Sequence, residues 1–222
     1  MLLSISTSMQ SSQTLPRVYI IAQRAKTLEM VSDELRSEPM ELVPVRDEKQ
    51  YFETLDEIHA GCVLVDIAAN QLQELTIISS LKAKQKDVQI IAFSDQWQID
   101  TAVRAIKLGA SEVCEFPNSG SKLQSAILKV LNEEAQQSLT LYRSIPKSIL
   151  LQLTSDEIAI LRLIVQGQTA KEVGSALDVS VRTFHYRKKA IFSKLGVPNR
   201  SELIELIRLA IENESQEEVS KH

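Results

Sequence analysis

Short, mostly apolar runs alternate with segments of helical spacing through the first 136 residues. The runs are VYII at 18–21, MELVPV at 40–45, CVLVDI at 62–67, VQIIAFS at 88–94 and EVCEF at 112–116. The helical segments are KTLEMVSDELRSE at 26–38, QELTIISSLKAKQ at 73–85, DTAVRAIKLGA at 100–110 and SKLQSAILKVLNEEAQ at 121–136. Strands that are apolar throughout are buried on both faces, which is typical of a parallel sheet covered by helices. The pattern predicts an α/β domain with a flavodoxin-like, doubly wound, five-stranded parallel sheet in the order 2-1-3-4-5.

The last third of the chain has only helical spacing. Residues that can cap helices precede four apolar-periodic segments: Thr154 with Glu157, Thr169 with Glu172, Ser180, and Asn199 with Glu202. The third segment reaches Leu195 and stops at Gly196. Two short helices joined by a brief turn at Asp178, the second of them basic, form the layout of a helix-turn-helix. We therefore predict that an all-α, four-helix domain follows the α/β domain.

The length of 222 residues accommodates two small domains. We predict a flexible tail at 1–15, the α/β domain at 16–134, a partly helical linker at 135–149, the helical domain at 150–214 and a second tail at 215–222. No run approaches the ~18 apolar residues of a membrane span, and the start of the chain lacks the basic residues of a secretory signal. We expect a cytoplasmic protein without a membrane partner.

Few residues suggest metal or redox chemistry. Cys62 and Cys114 are too few for a disulfide framework or a zinc set, so we expect buried, small apolar side chains. His59 and His222 have no partner at ligand spacing, and Trp97 alone makes no site. The sequence holds no glycine-rich phosphate loop and no nucleophile with its base. We predict no metal, no cofactor and no enzymatic activity.

The net charge of −4 conceals an asymmetry along the chain. Residues 1–136 carry 13 Lys and Arg against 19 Asp and Glu, whereas residues 137–222 carry 12 against 10. The stretch 180–201 holds six basic residues and no acid: Arg182, Arg187, Lys188, Lys189, Lys194 and Arg200. Positive charge concentrated in an acidic chain favours a polyanionic partner, although a solvated helix face is the simpler alternative for a basic run alone.

The third helix of the C-terminal part sorts these residues by face. Phe184, Ile191 and Leu195 lie on one side and are expected to anchor the helix. Four residues with the spacing i, i+3, i+4, i+7 share another face and offer donors and a ring to base edges: Arg182, His185, Tyr186 and Lys189. Further residues are predicted to contact phosphates: Lys188, Lys194, Arg200 and, at the helix start, Thr183.

The segment 153–197 resembles the LuxR-type helix-turn-helix of response regulators. The matching residues are Leu153, Thr154, Glu157, Leu161, Gly167, Lys171, Glu172, Val173, Leu177, Ser180, Thr183, Lys194, Leu195, Gly196, Val197 and, just beyond, Arg200. The resemblance implies that His185, Tyr186 and Lys189 read bases and that Lys171 belongs to the DNA-binding set. Phe184 in place of a usual Val and Arg187 in place of a usual His depart from the family without breaking its fold, so the family's operator preferences do not carry over to this chain.

Residues 16–134 resemble the receiver domain that precedes such modules, through VYIIAQR, CVLVDI, IIAFSD and AVRAIKLGASEVCEFP. The resemblance places Asp66 at the phospho-acceptor position and Ser94 at the position that senses the phosphoryl group. Ala22 and Gln23 replace the acidic pair that holds Mg²⁺, and Phe116 replaces the phosphate-binding Lys. Two further departures are Val113, in place of the switch aromatic, and Asn70-Gln71, in the loop after the acceptor. We interpret the domain as a pseudo-receiver.

Asp66 has two simple interpretations in such a pocket. It is either a strand-end carboxylate bonded to nearby amides or, as we hypothesise, the partner of Arg24, whose guanidinium takes the place of the metal. Either arrangement leaves the pocket without the magnesium ion that phosphoryl transfer requires.

Together these features predict a sequence-specific transcription regulator that binds double-stranded DNA and is not switched by magnesium-dependent phosphorylation. We expect a homodimer, because one helix reads few base pairs, and a possible protein partner for the receiver-like domain. The fourth helix is the candidate dimer interface through Leu203, Leu206 and Ile207. Under the alternative interpretation, two of these three residues pack in the core of the domain. Two alternatives stay open: an orthodox regulator phosphorylated on Asp66, and an interaction protein that does not bind DNA.

Overall fold

The computed structural model describes residues 15–55, 61–67, 74–117 and 122–219, without the side chains of 217–219. The N-terminal part consists of β1 (Arg17–Ile21), α1 (Ala25–Leu35), β2 (Glu41–Val45), α2 (Glu48–Thr54), β3 (Gly61–Asp66), α3 (Thr76–Lys84), β4 (Gln89–Ser94), α4 (Ile99–Lys107), β5 (Glu112–Glu115) and α5 (Lys122–Arg143). The predicted N-terminal tail lies outside the described residues, apart from Leu15. His59, Asn70, Gln71 and His222, about which predictions were made, also lie outside them.

The five strands form one parallel sheet in the order β2-β1-β3-β4-β5, as predicted. Alternate residues of each strand face opposite sides, so the sheet separates two cores. On β3, Cys62 and Leu64 join the core that α1 and α5 cover. Val63 and Val65 join the other core, which includes Tyr51 of α2. The continuous apolar strands are thus explained by burial on both sides.

Two helices of the N-terminal part differ from the predicted pattern. We did not predict α2, because EKQYFET offers only one short apolar pair to a periodicity argument. Its start is nevertheless capped, since the side chain of Asp47 accepts a hydrogen bond of 2.8 Å from the amide of Gln50. The second difference is α5, which continues without a break through residues 135–143 of the predicted linker.

The C-terminal part consists of α6 (Lys147–Leu150), α7 (Ser155–Val165), α8 (Ala170–Leu177), α9 (Val181–Leu195) and α10 (Arg200–Val219). Both predicted capping boxes are present, at Thr154 and Thr169. Ser180 caps α9 and Gly196 ends it with a φ of 69°. The side chain of Asn199 accepts from the amide of Glu202 at the start of α10. A third core unites α7 to α10 with the end of α5.

No helix among the described residues has the length and hydropathy that crossing a bilayer requires.

The turn between α8 and α9 depends on a close backbone approach. Asp178 adopts a left-handed conformation with a φ of 51°, and the amide of Val179 donates to the carbonyl of Gly174 over 3.0 Å. A Cβ at Gly174 would lie 2.8 Å from the carbonyl oxygen of Val179. The glycine therefore sets how closely α8 and the start of α9 approach each other.

We expect Gly174→Ala to lower the free energy of unfolding of the C-terminal part. The clash costs more than the roughly 1 kcal/mol that alanine gains in a helix, for a net loss of about 1–2 kcal/mol. Urea unfolding followed by far-UV circular dichroism measures the change. Ser175→Ala at the exposed neighbouring position is the control, and equal stability of the two variants would contradict the prediction.

Candidate nucleic-acid interface and receiver pocket

Helix α9 is anchored through one apolar face. Phe184 and Ile191 are fully buried, Phe192 is nearly so, and Leu195 packs partly buried against the same core. The predicted anchoring residues are thereby confirmed. Phe192 adds a ring that the sequence analysis did not assign, although its position one turn after Lys188 places it on this face.

The opposite side of α9 is open to solvent. The structure brings together there the four predicted base-facing residues, all exposed: Arg182, His185, Tyr186 and Lys189. Tyr186 is the most prominent apolar surface, with 77% of its area exposed. Val181, which the sequence analysis did not single out, adds an exposed apolar side chain at the first turn. Helix α9 therefore presents cationic, aromatic and aliphatic groups on one surface.

The start of α9 is closed by its own side chains. The hydroxyl of Ser180 accepts a hydrogen bond of 3.0 Å from the amide of Thr183 and lies 2.8 Å from the hydroxyl of Thr183. Thr183 is half-buried in this arrangement. Its hydroxyl thus has a role in the cap whether or not a phosphate is bound.

The predicted phosphate contact of Lys188 is wrong for the structure as it stands. This residue is 3% exposed, and its Nζ lies 5.3 Å from the ring centroid of Phe192. Lys188 follows Phe184 by one helical turn, so the helix directs it toward the core rather than toward solvent.

Arg200 is likewise buried, with 8% of its surface exposed, which corrects its assignment as a phosphate contact. Its Nε donates to the carbonyl of Ile164 over 3.1 Å, and its Nη2 to that of Val165 over 3.2 Å. Nη1 donates to a carboxylate oxygen of Asp87, 3.0 Å away in the N-terminal part. The carbonyl of Ile164 also accepts from the amide of Gly167 over 3.0 Å, so Arg200 adds a side-chain donor to the carbonyls at the end of α7.

The other predicted phosphate-contacting residues are accessible to different degrees. Lys171 on α8 is exposed. Lys194 is partly exposed, and its ammonium donates to both carboxylate oxygens of Glu157 over 2.7 Å. This hydrogen bond, together with one from the backbone of Thr154, lowers the pKa of Glu157. The charge that Lys194 offers to a phosphate is therefore partly neutralised within the protein.

Strand register places Arg24 beside Asp66. Ile21 at the end of β1 is the partner of Val65 in β3, so the residues that follow both strands meet at one edge of the sheet. Nη2 of Arg24 lies 2.7 Å from one carboxylate oxygen of Asp66, and Nε lies 3.2 Å from the other. The hypothesised pairing is confirmed. The bond to Asp66 also raises the pKa of the Arg24 guanidinium.

The other predicted pocket residues are uncharged, although the carboxylates of Asp95 and Glu74 also act on Arg24. Ala22 is buried in the first core, and Gln23 is exposed. The hydroxyl of Ser94 is buried and donates to the carbonyl of Gln96 over 3.1 Å. Phe116 packs edge-on against the ring of Phe93, with 5.9 Å between centroids. Among the described residues, no group of three or more His, Cys, Asp and Glu side chains could hold a metal ion.

Both cysteines and the tryptophan have structural surroundings. Cys62 and Cys114 are free and buried in strands that are not neighbours, as predicted, and burial raises the pKa of Cys114 to about 12. The indole of Trp97 donates to the carbonyl of Cys114 over 2.8 Å and so braces β5.

The apolar residues of α10 are largely used within the domain. Leu203 and Ile207 are fully buried, and Leu206 is partly buried against the same core, whereas Leu209 is half-exposed. Leu203 and Ile207 therefore pack inside the domain, as the alternative interpretation predicted, and they are not available on its surface to form the predicted dimer interface.

Two families match the chain. Residues 18–128 match the response regulator receiver domain, and residues 151–207 match the luxR family of bacterial regulatory proteins. The transcriptional regulatory protein FixJ of Bradyrhizobium diazoefficiens is 23% identical over 85% of this chain and 93% of its own length. The response regulator protein TodT of Pseudomonas putida is 25% identical over 84% and 83%. The fimbriae Z protein of Escherichia coli is 25% identical over 87% and 97%.

The fold of a solved response regulator, StyR, is similar to that of this chain. The TM-score is 0.51 at 23% sequence identity, over 87% of this chain and 98% of the other. At that level of identity the likeness establishes the shared fold.

We expect Arg24→Ala to destabilise the N-terminal part by about 1–3 kcal/mol at neutral pH. The variant leaves the Asp66 carboxylate, whose side chain is 5% exposed, without its cation. The loss is smaller than for a fully buried pair because half of the Arg24 side chain is in solvent. In an Asp66→Asn background the same change should cost under about 0.5 kcal/mol. Urea unfolding followed by the fluorescence of the single tryptophan measures both, and equal costs in the two backgrounds would refute the coupling.

Proposed function

The chain belongs to the response-regulator family and is a transcription factor with a luxR-type DNA-binding domain, and we propose that its receiver is not switched by magnesium-dependent phosphorylation of Asp66. The pairing of Arg24 with Asp66 carries this proposal. Phosphoryl transfer to an aspartate needs cations that meet the developing charge, chiefly a divalent metal. Here one guanidinium binds the carboxylate that would attack, and neutral residues stand at the positions of the metal ligands and the lysine.

The exposed side chains of α9 are of the types that contact bases in the major groove of DNA. An α-helix fits the major groove, where Arg and Lys donate to guanine and aliphatic groups contact the thymine methyl. Arg182 and Lys189 supply the donors, and His185 and Tyr186 supply rings that also hydrogen-bond. Val181 at the first turn offers the aliphatic contact. In this arrangement α9 reads base edges along its solvent face.

Phosphate contacts would fall to the accessible residues of the predicted set. Lys171 is exposed on α8. Lys194 can bind a phosphate if it gives up its hydrogen bonds to Glu157, and the loss of those bonds reduces the free energy gained. Thr183 and the first amides of α9 complete the set. Because such contacts supply affinity without sequence information, they would set the salt dependence of binding.

We retain the predicted division into a receiver-like domain and a helical domain, the homodimer and a protein partner of the receiver-like domain as parts of the proposal. Two copies of α9 are needed to read a site of useful length, and half-sites one helical turn apart would reflect the twofold symmetry. Sedimentation of the protein with a single half-site tests the stoichiometry. A monomer bound at full affinity would exclude the dimer.

Lys189→Ala should weaken binding to the preferred site by about 1–3 kcal/mol and relax the preference at one base pair. The site is obtained by selecting bound DNA from a random pool with the full chain, and affinities are then measured on single-base variants. Lys147→Ala removes the same charge from an exposed position on α6 and should leave the base preference unchanged. If the full chain enriches no sequence, the result would support the alternative interpretation, in which the protein binds another protein and not DNA.

Treatment with acetyl phosphate, with or without Mg²⁺, should not phosphorylate the protein, because Arg24 binds the Asp66 carboxylate and the described residues include no group of three or more His, Cys, Asp and Glu side chains that could hold a metal ion. Asp66→Asn should accordingly leave DNA affinity nearly unchanged. Intact-mass spectrometry is the measurement, with Asp95→Asn as the control for phosphorylation at a neighbouring carboxylate. An added phosphoryl group that depends on Asp66 and raises DNA affinity would establish the orthodox mechanism instead.

A further inference from the structure

A carboxylate of the N-terminal part joins the two parts of the molecule. Asp87, in the turn before β4, accepts hydrogen bonds from Nη1 of Arg200 and from the hydroxyl of Ser201. Both donors stand at the start of α10, and each residue is 8% exposed. The contact is therefore a buried polar junction and not a loose ion pair at the surface.

The junction is firmly held on its C-terminal side. The two guanidinium nitrogens of Arg200 that do not contact Asp87 are bound to the carbonyls of Ile164 and Val165. Asp87 is consequently linked to the end of α7 as well as to the start of α10. On the N-terminal side, β4 begins two residues after Asp87. A movement at this junction would be transmitted directly between the sheet and the helical bundle.

A second carboxylate, that of Glu134 on α5, borders the same small cavity. The cavity is lined by Asp87, Gln89, Glu134, Gln137, Ser138, Leu141, Arg200, Ile204 and Arg208. Side chains from both parts of the chain thus close over Glu134, which is half-buried. Glu134 belongs neither to the exposed face of α9 nor to the pocket around Asp66.

The charges around Glu134 oppose one another. Burial raises the pKa of Glu134 to about 7, and the Asp87 carboxylate acts in the same direction. Arg200 and a hydrogen bond with the backbone of Gly61 act against this shift. The other titratable groups near it are Arg208 of α10, Tyr51 of α2 and Cys62 of β3. Burial raises the pKa of Tyr51 and Cys62, which stay neutral near pH 7.

We propose that Glu134 makes the junction between the α/β part and the helical part sensitive to pH, so that it closes when Glu134 is protonated and opens as Glu134 ionises. In the closed arrangement, ionised Glu134 would put a second carboxylate in the cavity that Asp87 also lines, where the cost of burying its charge exceeds the attraction of Arg200. Separation of α10 from α5 would let water reach the Glu134 carboxylate and remove the desolvation that disfavours its ionised form.

The sign follows from proton linkage. The closed state binds the Glu134 proton more tightly than the open state, in which the pKa returns toward its ordinary value of 4.5. Closure is therefore favoured at low pH and loses this contribution as the pH rises through about 7. The ratio of closed to open molecules should fall by up to about tenfold between pH 6 and 8.

Small-angle X-ray scattering of the full chain, at constant ionic strength and extrapolated to zero concentration, measures the separation of the two parts. We expect the radius of gyration of the wild type to increase between pH 6 and 8. Glu134→Gln keeps the shape of the protonated side chain and should stay compact throughout. Glu133→Gln changes the exposed neighbouring residue and should retain the wild-type response. Asp87→Asn weakens the junction itself and should be more extended at every pH.

A wild-type radius that does not change over this range would overturn the proposal, as would a pH response that persists in Glu134→Gln. If that variant does not fold, NMR titration of the Glu134 carboxyl in the wild-type chain decides the question. A midpoint near 7 supports the proposal and one near 4.5 refutes it. These measurements involve no DNA, so their outcome is independent of the proposed function.

Discussion

Burial of both faces of one parallel sheet is the constraint on which this molecule depends. Each strand contributes alternate residues to two cores, and helices must cover both. Parallel pairing also brings the carboxyl ends of the strands to one edge. Arg24 and Asp66 meet at that edge because β1 and β3 are neighbours in register. The pocket and its occupant are thus consequences of the same arrangement that forms the core.

The pairing of Arg24 with Asp66 also gives a physical meaning to the departures from the receiver pattern. A carboxylate that is 5% exposed requires a cation or several donors. Where a metal is not held, the guanidinium of Arg24, at the start of α1 after the neighbouring strand, meets that requirement within the chain. Phe116, packed against Phe93, turns the neighbouring position into part of the apolar core. The site has the composition of a structural ion pair beside an aromatic cluster.

The strands, the helix caps and the exposed face of α9 could be predicted because each depends on residues close in sequence. Thr154, Thr169 and Ser180 act on amides three residues away. Helix α2 escaped prediction because its apolar content is small and its stability comes from packing Tyr51. The burial of Arg200 could not be predicted, since its partner Asp87 is 113 residues distant. The burial of Lys188 follows from its position one helical turn after the buried Phe184, because helical periodicity outweighs its charge here.

Helix α5 belongs to two cores at once. Val130 packs beneath the sheet, whereas Leu141 and Tyr142 pack in the helical bundle. A helix of 22 residues is about 33 Å long, so it acts as a stiff lever. A tilt of about 5° at the sheet would displace its far end by about 3 Å over that length. Small adjustments among the apolar side chains of the sheet would thereby become displacements comparable with the spacing between successive base pairs.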